Sequence, residues 1–403
     1  MEAPRLLLGL ALTCIFNATA FAQRAEDPQT DQRKGQPFEI ARSMEATQDE
    51  IVLGSVDARS RLPKLIGQIA ERLLAAEPSL WRDARNDHAA VIYTLSGGQP
   101  RVIRKVLQLG NASETERNLM TGALAYVEGQ QAKAKQILMA IDAMALAPSV
   151  GGYVALAQSA LIAKENPARA MSLLDQARVL APGTLVEEAA LRRSAFLADE
   201  MSDLGRFVTS SSQYFRRYAR SVYADNFRRR FAESVAHFGL TSDAAQRAKL
   251  TNLLRELDSE EQLKLYLLTA QSGILKGKIE PARYAAEQAL RLSEETGLEK
   301  DRAKLYEAAT KILLRSPEAG LREVAEIDER HLQKRDVELK EVVTKTGAEI
   351  QKTADDAQRP SDVGSAEPQS SSNGNDGPSP SALIESAQMA LSQTEALLKR
   401  AGP

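Results

Sequence analysis

The sequence predicts an all-α fold of stacked helix pairs, and three observations carry that prediction. The phrase Leu146-Ala147-Pro148 returns as Leu180-Ala181-Pro182, 34 residues later. Each copy closes an alanine-rich run, residues 131–146 and 168–180, and each run follows a tight break, at Gly129 and at Asn166-Pro167. Alanine and leucine are abundant while aromatics make up only 5% of residues, a balance that favours helices over sheets. No stretch alternates β-branched with polar residues between turn signals, so no strand is expected. A repeat of about 34 residues made of two helices is the tetratricopeptide signature, and such units bury their apolar faces only by stacking. The body is therefore expected to be a tetratricopeptide-like helical-repeat α-solenoid, a fold that builds surfaces for partners.

Residues 1–22 read as a secretory signal peptide. Arg5 supplies a basic start, residues 6–16 an apolar core, and Ala20-Phe21-Ala22 a small-residue cleavage site before Gln23. The apolar run is shorter than the about 20 residues that span a bilayer. Cys14, the only cysteine, lies inside it, and Thr13 before it fits a lipoprotein signal poorly. The mature chain is thus expected to lack disulfides and thiolate chemistry and to work outside the cytoplasm, which in a bacterium means the periplasm.

Residues 23–37, broken by Asp27-Pro28, Lys34-Gly35 and Pro37, read as a flexible arm. An N-terminal helical region is expected over 38–117. Ile40, Met44 and Ile51 share one helix face as far as Gly54, and Leu62, Leu65, Ile66, Ile69 and Leu73 make the stripe of a second helix over 58–76. Pro78 stops that helix, and Trp81 after it reads as a packing wedge. A short helix over 88–95 ends at Ser96-Gly97-Gly98-Gln99, where glycine permits positive φ and Pro100 opens the next helix.

The repeats are expected over 118–318. Helix pairs follow at 184–201 with 204–218, at 223–238 with 244–257, and at 262–276 with 281–292. Pro167-Ala168-Arg169 and Pro281-Ala282-Arg283 open corresponding second helices. A further helix over 298–315 presents Leu305, Ala309, Ile312 and Leu313 on one side. Residues 319–358 read as one long charged helix, exposed or loosely docked, because its apolar positions hold no sustained heptad seam. A disordered linker, 359–380, and an amphipathic C-terminal helix, 381–403, complete the chain. Leu383, Ala387, Leu391 and Leu398 give that last helix a face to dock on its own body or on a partner.

Nothing points to catalysis or to a cofactor. The 52 basic and 54 acidic residues nearly cancel, which gives no support for a nucleic-acid or membrane-surface role. His88, His237 and His331 fall in three separate helices with no second ligand at the next turn, so no metal site is expected. No phosphate-binding loop, nucleophile elbow or zinc-protease motif occurs. Glu187-Glu188 and Glu294-Glu295 read as solvated helix faces.

One stretch departs from this uniformity. Residues 214–231 hold six arginines, Arg216, Arg217, Arg220, Arg228, Arg229 and Arg230, against one acid, Asp225. Tyr214, Phe215, Tyr218, Tyr223, Phe227 and Phe231 are interleaved, and spacings of four place most of them on a core face. The arginines then gather on the other face, around Ser221-Val222-Tyr223. Two readings stay open: a solvated basic face, or an anion-selective docking patch for an acidic protein segment or cell-wall carboxylates. Under the second, the partner-binding residues are Arg216, Arg217, Arg220, Tyr223, Arg228, Arg229 and Arg230.

Several segments also carry a family resemblance. Gln36-Pro37-Phe38-Glu39 with Arg42-Ser43, then Trp81-Arg82-Asp83-Ala84-Arg85-Asn86, then Tyr93-Thr94-Leu95-Ser96-Gly97-Gly98-Gln99-Pro100, are followed by Arg216-Arg217, Ser221-Val222-Tyr223-Ala224 and Asn226-Phe227-Arg228. In this order they resemble the MotC family, periplasmic motility proteins of flagellated alphaproteobacteria related to rhizobia, over residues 37–315. The resemblance implies a protein needed for flagellar rotation that binds the periplasmic part of the stator subunit MotB and affects the coupling of ion flow to torque. It supplies no catalytic residues and no binding positions. Two other readings remain beside it: a periplasmic tetratricopeptide-type scaffold for envelope assembly, unrelated to motility, and a cell-wall-acting enzyme.

Overall fold

Helix starts are written into the chain by capping groups. Ser55, Ser113, Asn166, Thr184, Asp203, Asp243 and Asp258 each accept a first-turn N–H through the side chain. Pro37, Pro100, Pro148, Pro167 and Pro317 begin helices at a position where no amide donor is needed. The computed structural model describes residues 35–293, 297–314 and 316–358. The expected signal peptide, linker and C-terminal helix lie outside the described residues, as do Glu294 and Glu295.

Among the described residues there are seventeen α-helices, three short 3₁₀ turns and no strand. The chain runs as antiparallel pairs: α1 (Pro37–Val52) with α2 (Val56–Ala75), α3 (Ala84–Leu95) with α4 (Pro100–Leu109), and α5 (Glu114–Val127) with α6 (Gln131–Leu138). Next come α7 (Pro148–Ile162) with α8 (Pro167–Leu180), and α9 (Leu185–Glu200) with α10 (Leu204–Tyr218). Then α11 (Ala224–His237) packs on α9, while α12 (Ala244–Leu254) rests on α10. The series ends with α13 (Ser259–Leu275) and α14 (Ile279–Leu292), α15 (Leu298–Leu314) and α16 (Pro317–Ala325), and the closing α17 (Lys334–Gln358). This is the all-α helical-repeat body that the sequence predicts.

Odd-numbered helices pack on one another as an inner layer, and that layer curls until α1 meets α9. One apolar core runs through it from Ile40 to Val343, with Trp81 fully buried as a wedge beneath α3. Each buried Leu, Ile or Val contributes roughly 1.5–3 kcal/mol, so neighbouring pairs stabilise each other and no pair stands alone.

Three expectations need correction. The run over 131–146 is not one helix: α6 stops at Leu138 and a 3₁₀ turn, Ala143–Ala145, follows. Gln158, buried on α7, donates from Nε2 to the carbonyls of Leu138 and Ile141 at 2.6 and 2.8 Å, so the chain can leave the helix without orphaned acceptors. The two Leu-Ala-Pro phrases consequently differ, since Pro148 opens α7 whereas Pro182 sits in the turn before α9. The charged stretch near the C-terminus is likewise divided. Buried Ile327 anchors the break, and the Asp328 carboxylate accepts the Arg330 amide at 2.9 Å in place of a helical bond. Nor is α17 loosely docked. Asp336, 0% exposed, accepts from Gln271 at 3.0 Å and Arg302 at 2.8 Å and also from the Tyr306 hydroxyl, with Leu339 and Val343 buried behind it. The third correction concerns Glu187 and Glu188 and belongs to the arginine corner.

Candidate docking surface

The arginine-rich stretch forms the corner where α10 turns into α11. Its apolar half is a stack of rings: Tyr214 lies on Phe227 with centroids 3.8 Å apart, and Phe215 meets Phe227 and Phe231 edge-on at 5.1 Å. Phe207 extends the stack to Phe231 at 5.5 Å. The spacing of four therefore does put these aromatics in the core, and each such pair adds about 0.5–1.5 kcal/mol beyond its burial.

Buried tyrosines need partners for their hydroxyls, and α9 supplies them. Tyr214 donates to Glu188 at 2.8 Å and Tyr218 donates to Glu187 at 2.7 Å. Desolvation, together with these carboxylates, pushes both phenols well above their usual range. Glu187 and Glu188 are 3% and 0% exposed, so they are not a solvated face. Arg192 donates to Glu188 at 3.2 Å, while Arg217 and the Gly183 amide both donate to Glu187 at 2.6 Å. The pattern Thr184-Leu185-Val186-Glu187 is a capping-box spelling, and it is the local signal by which Glu187 can be recognised as a structural acid.

The seven candidate residues separate into distinct environments. Arg228 is only 7% exposed and leaves the basic face: it donates to Glu261 at 2.8 Å, to Asp225 at 2.7 Å and to the Ala219 carbonyl at 2.6 Å, tying α11 to α13. Arg217 is partly engaged with Glu187. Arg216 pairs with Glu256 at 2.7 Å, both ends exposed, and Arg230 lies 3.7 Å from Glu200 and over the Phe196 ring. Arg220 and Arg229 are exposed, and neither has a carboxylate partner among the described residues. Tyr223 is half-buried, with two guanidinium groups over its ring, Arg192 at 5.6 Å and Arg59 at 5.8 Å from the ring centre.

Arg59 belongs to α2, far away in sequence, and its presence follows from the curl of the inner layer. The Val222 amide donates to the Ile51 carbonyl at 3.3 Å, which joins the α1–α2 turn to the α10–α11 turn. Gly54 has φ +102° and lies so close that a Cβ on it would stand 2.6 Å from the Arg220 carbonyl oxygen. Only glycine meets both demands there. Pattern reading along the chain has no signal for this long-range closure.

The chemistry available elsewhere is sparse. Among the described residues no three His, Cys, Asp or Glu side chains gather where they could hold a metal ion. Each histidine faces one acid: His88 with Glu116 at 3.9 Å, His237 with Asp199 at 2.6 Å and His331 with Asp301 at 2.7 Å. A cleft of about 250 Å³ beside Phe38, Arg42, Glu45, Arg85 and His88 lies near Asp87, a buried acid with one oxygen unpartnered. No described helix is long and apolar enough to cross a membrane.

A family model described as "Chemotaxis protein MotC" matches residues 1–403. A chemotaxis protein MotC of Rhizobium meliloti (strain 1021) is 31% identical over 315 residues, covering 76% of this chain and 70% of that relative. Matched along its whole length and sharing nearly a third of its aligned residues with a curated member, the chain belongs to the MotC family of chemotaxis proteins.

Proposed function

We propose that this chain is a non-enzymatic periplasmic motility protein required for flagellar rotation. Its arginine corner docks on the periplasmic domain of the stator subunit MotB and so affects the coupling of ion flux to torque. The family supports a motility role, and the signal-peptide pattern of residues 1–22 supports the periplasm. One observation carries the docking: exposed Arg216, Arg220, Arg229 and Arg230 stand on a corner whose backbone is held by stacked rings and by buried Glu187 and Glu188. On a rigid base no backbone has to be ordered when these guanidinium groups meet carboxylates in planar paired contacts.

The test is the affinity of the mature chain for MotB's purified periplasmic domain. Arg216→Glu combined with Arg229→Glu is expected to weaken binding about tenfold or more, equal to about 1.4 kcal/mol, with helicity and melting temperature unchanged. Binding by the parent chain should also fall as salt is raised, since exposed charges are screened beyond about 10 Å at 0.1 M. Undiminished affinity in the double reversal would leave the corner a solvated surface.

A further inference from the structure

The arginine corner is not built from residues 214–231 alone. The turn between α1 and α2 is seated on it through the Val222 to Ile51 hydrogen bond and the Gly54 to Arg220 contact. On either side of Gly54-Ser55 stand Leu53 and Val56, 78% and 68% exposed. Among the described residues the other exposed large apolar side chains, Met144, Val179, Met201 and Leu298, stand singly along the chain. Leu53 and Val56 thus flank a turn that rests on the backbone of Arg220, an exposed arginine, while exposed Arg59, one helical turn after Val56, leans on Tyr223.

We propose that this apolar tip and the arginine corner form one composite docking surface, fitted to an amphipathic acidic segment of a protein partner. The partner seats apolar side chains on Leu53 and Val56 and carboxylates on Arg59 and Arg220. Water leaves the apolar centre while the charged rim sets register, the division of labour found in protein interfaces. The charge around the tip selects a protein over an anionic lipid surface. Asp57 and Glu50 flank the apolar pair, bound to Arg61 at 2.8 Å each, and exposed Asp225 stands on the first turn of α11. A sheet of lipid phosphates would meet these acids, whereas a patterned segment can place its charges between them.

The inference rests on the docking reading above, and the experiment separates the two. Leu53→Ser with Val56→Ser is compared with Arg216→Glu with Arg229→Glu and with the parent chain, all as full mature proteins binding MotB's periplasmic domain. Both apolar side chains are exposed, so melting should be unchanged. The serine pair is expected to weaken binding about tenfold. If it binds as the parent does while the arginine reversal binds weakly, the composite surface is overturned and the docking reading stands. If the parent does not bind at all, both fall. A parallel arm uses vesicles containing phosphatidylglycerol; adsorption that depends on Leu53 and Val56, without binding to the stator domain, would overturn the proposal in favour of a membrane.

Discussion

Two neighbouring arginines show how far local pattern can mislead at the scale of the residue. Arg228 and Arg229 are adjacent in sequence, yet one is saturated inside the body and the other is free in water. Arg228→Ala should remove the buried guanidinium that serves Glu261, Asp225 and the Ala219 carbonyl and cost about 3 kcal/mol, whereas Arg229→Ala should stay within about 0.5 kcal/mol of the parent. Urea unfolding of the two variants checks this, and equal stabilities would refute the division. Asp87 offers a second test. Burial first, then Glu116 and Asp83, push its carboxyl up from 3.8 to about 7, with His88 beside it held low by burial. The folded chain therefore holds a proton that the unfolded chain releases between about pH 4 and 7, so this residue's contribution to stability falls as pH rises through that window. Asp87→Asn should remove that slope: compared with the parent, it gains stability from pH 5 to pH 8. A difference that is flat with pH, read from melts at several values, would exclude the assignment.

Among the elements, what the sequence displays well is whatever a helix end requires locally. Caps such as Asp203 and Asp258, and prolines such as Pro100 and Pro167, place most helix starts within a few residues. The break after Leu138 was not legible, because its cause is Gln158 on the next helix. The burial of Glu188 was hidden for the same reason, since its partner hydroxyl lies on α10. The docking of α17 depends on Asp336, one acid among many in a charged run, selected only by Tyr306, Arg302 and Gln271 opposite it. Asp336→Ala should strip these groups of their shared acceptor and cost about 3 kcal/mol. Hydrogen exchange should then show α17 losing protection before α13 and α15 do. Unchanged protection across α17 would mean that Leu339 and Val343 hold it unaided.

For the molecule as a whole, repeat order was readable and closure was not. A 34-residue recurrence announces stacking, but the meeting of α1 with α9 depends on how much each pair is rotated against the last, which no local pattern encodes. The candidate site was accordingly half legible. The arginines and their aromatic backing stood out, while Leu53, Val56 and Arg59 became part of the same surface only when the chain curled. Shape and charge on one rigid corner, acting against another macromolecule, is the claim on which the functional account rests. The most direct measurement is swimming in cells lacking the gene and supplied with either the parent chain or the Arg216→Glu, Arg229→Glu chain at matched exported levels. The account predicts that the parent restores motility and the double reversal does not; full swimming with the reversed corner would contradict it.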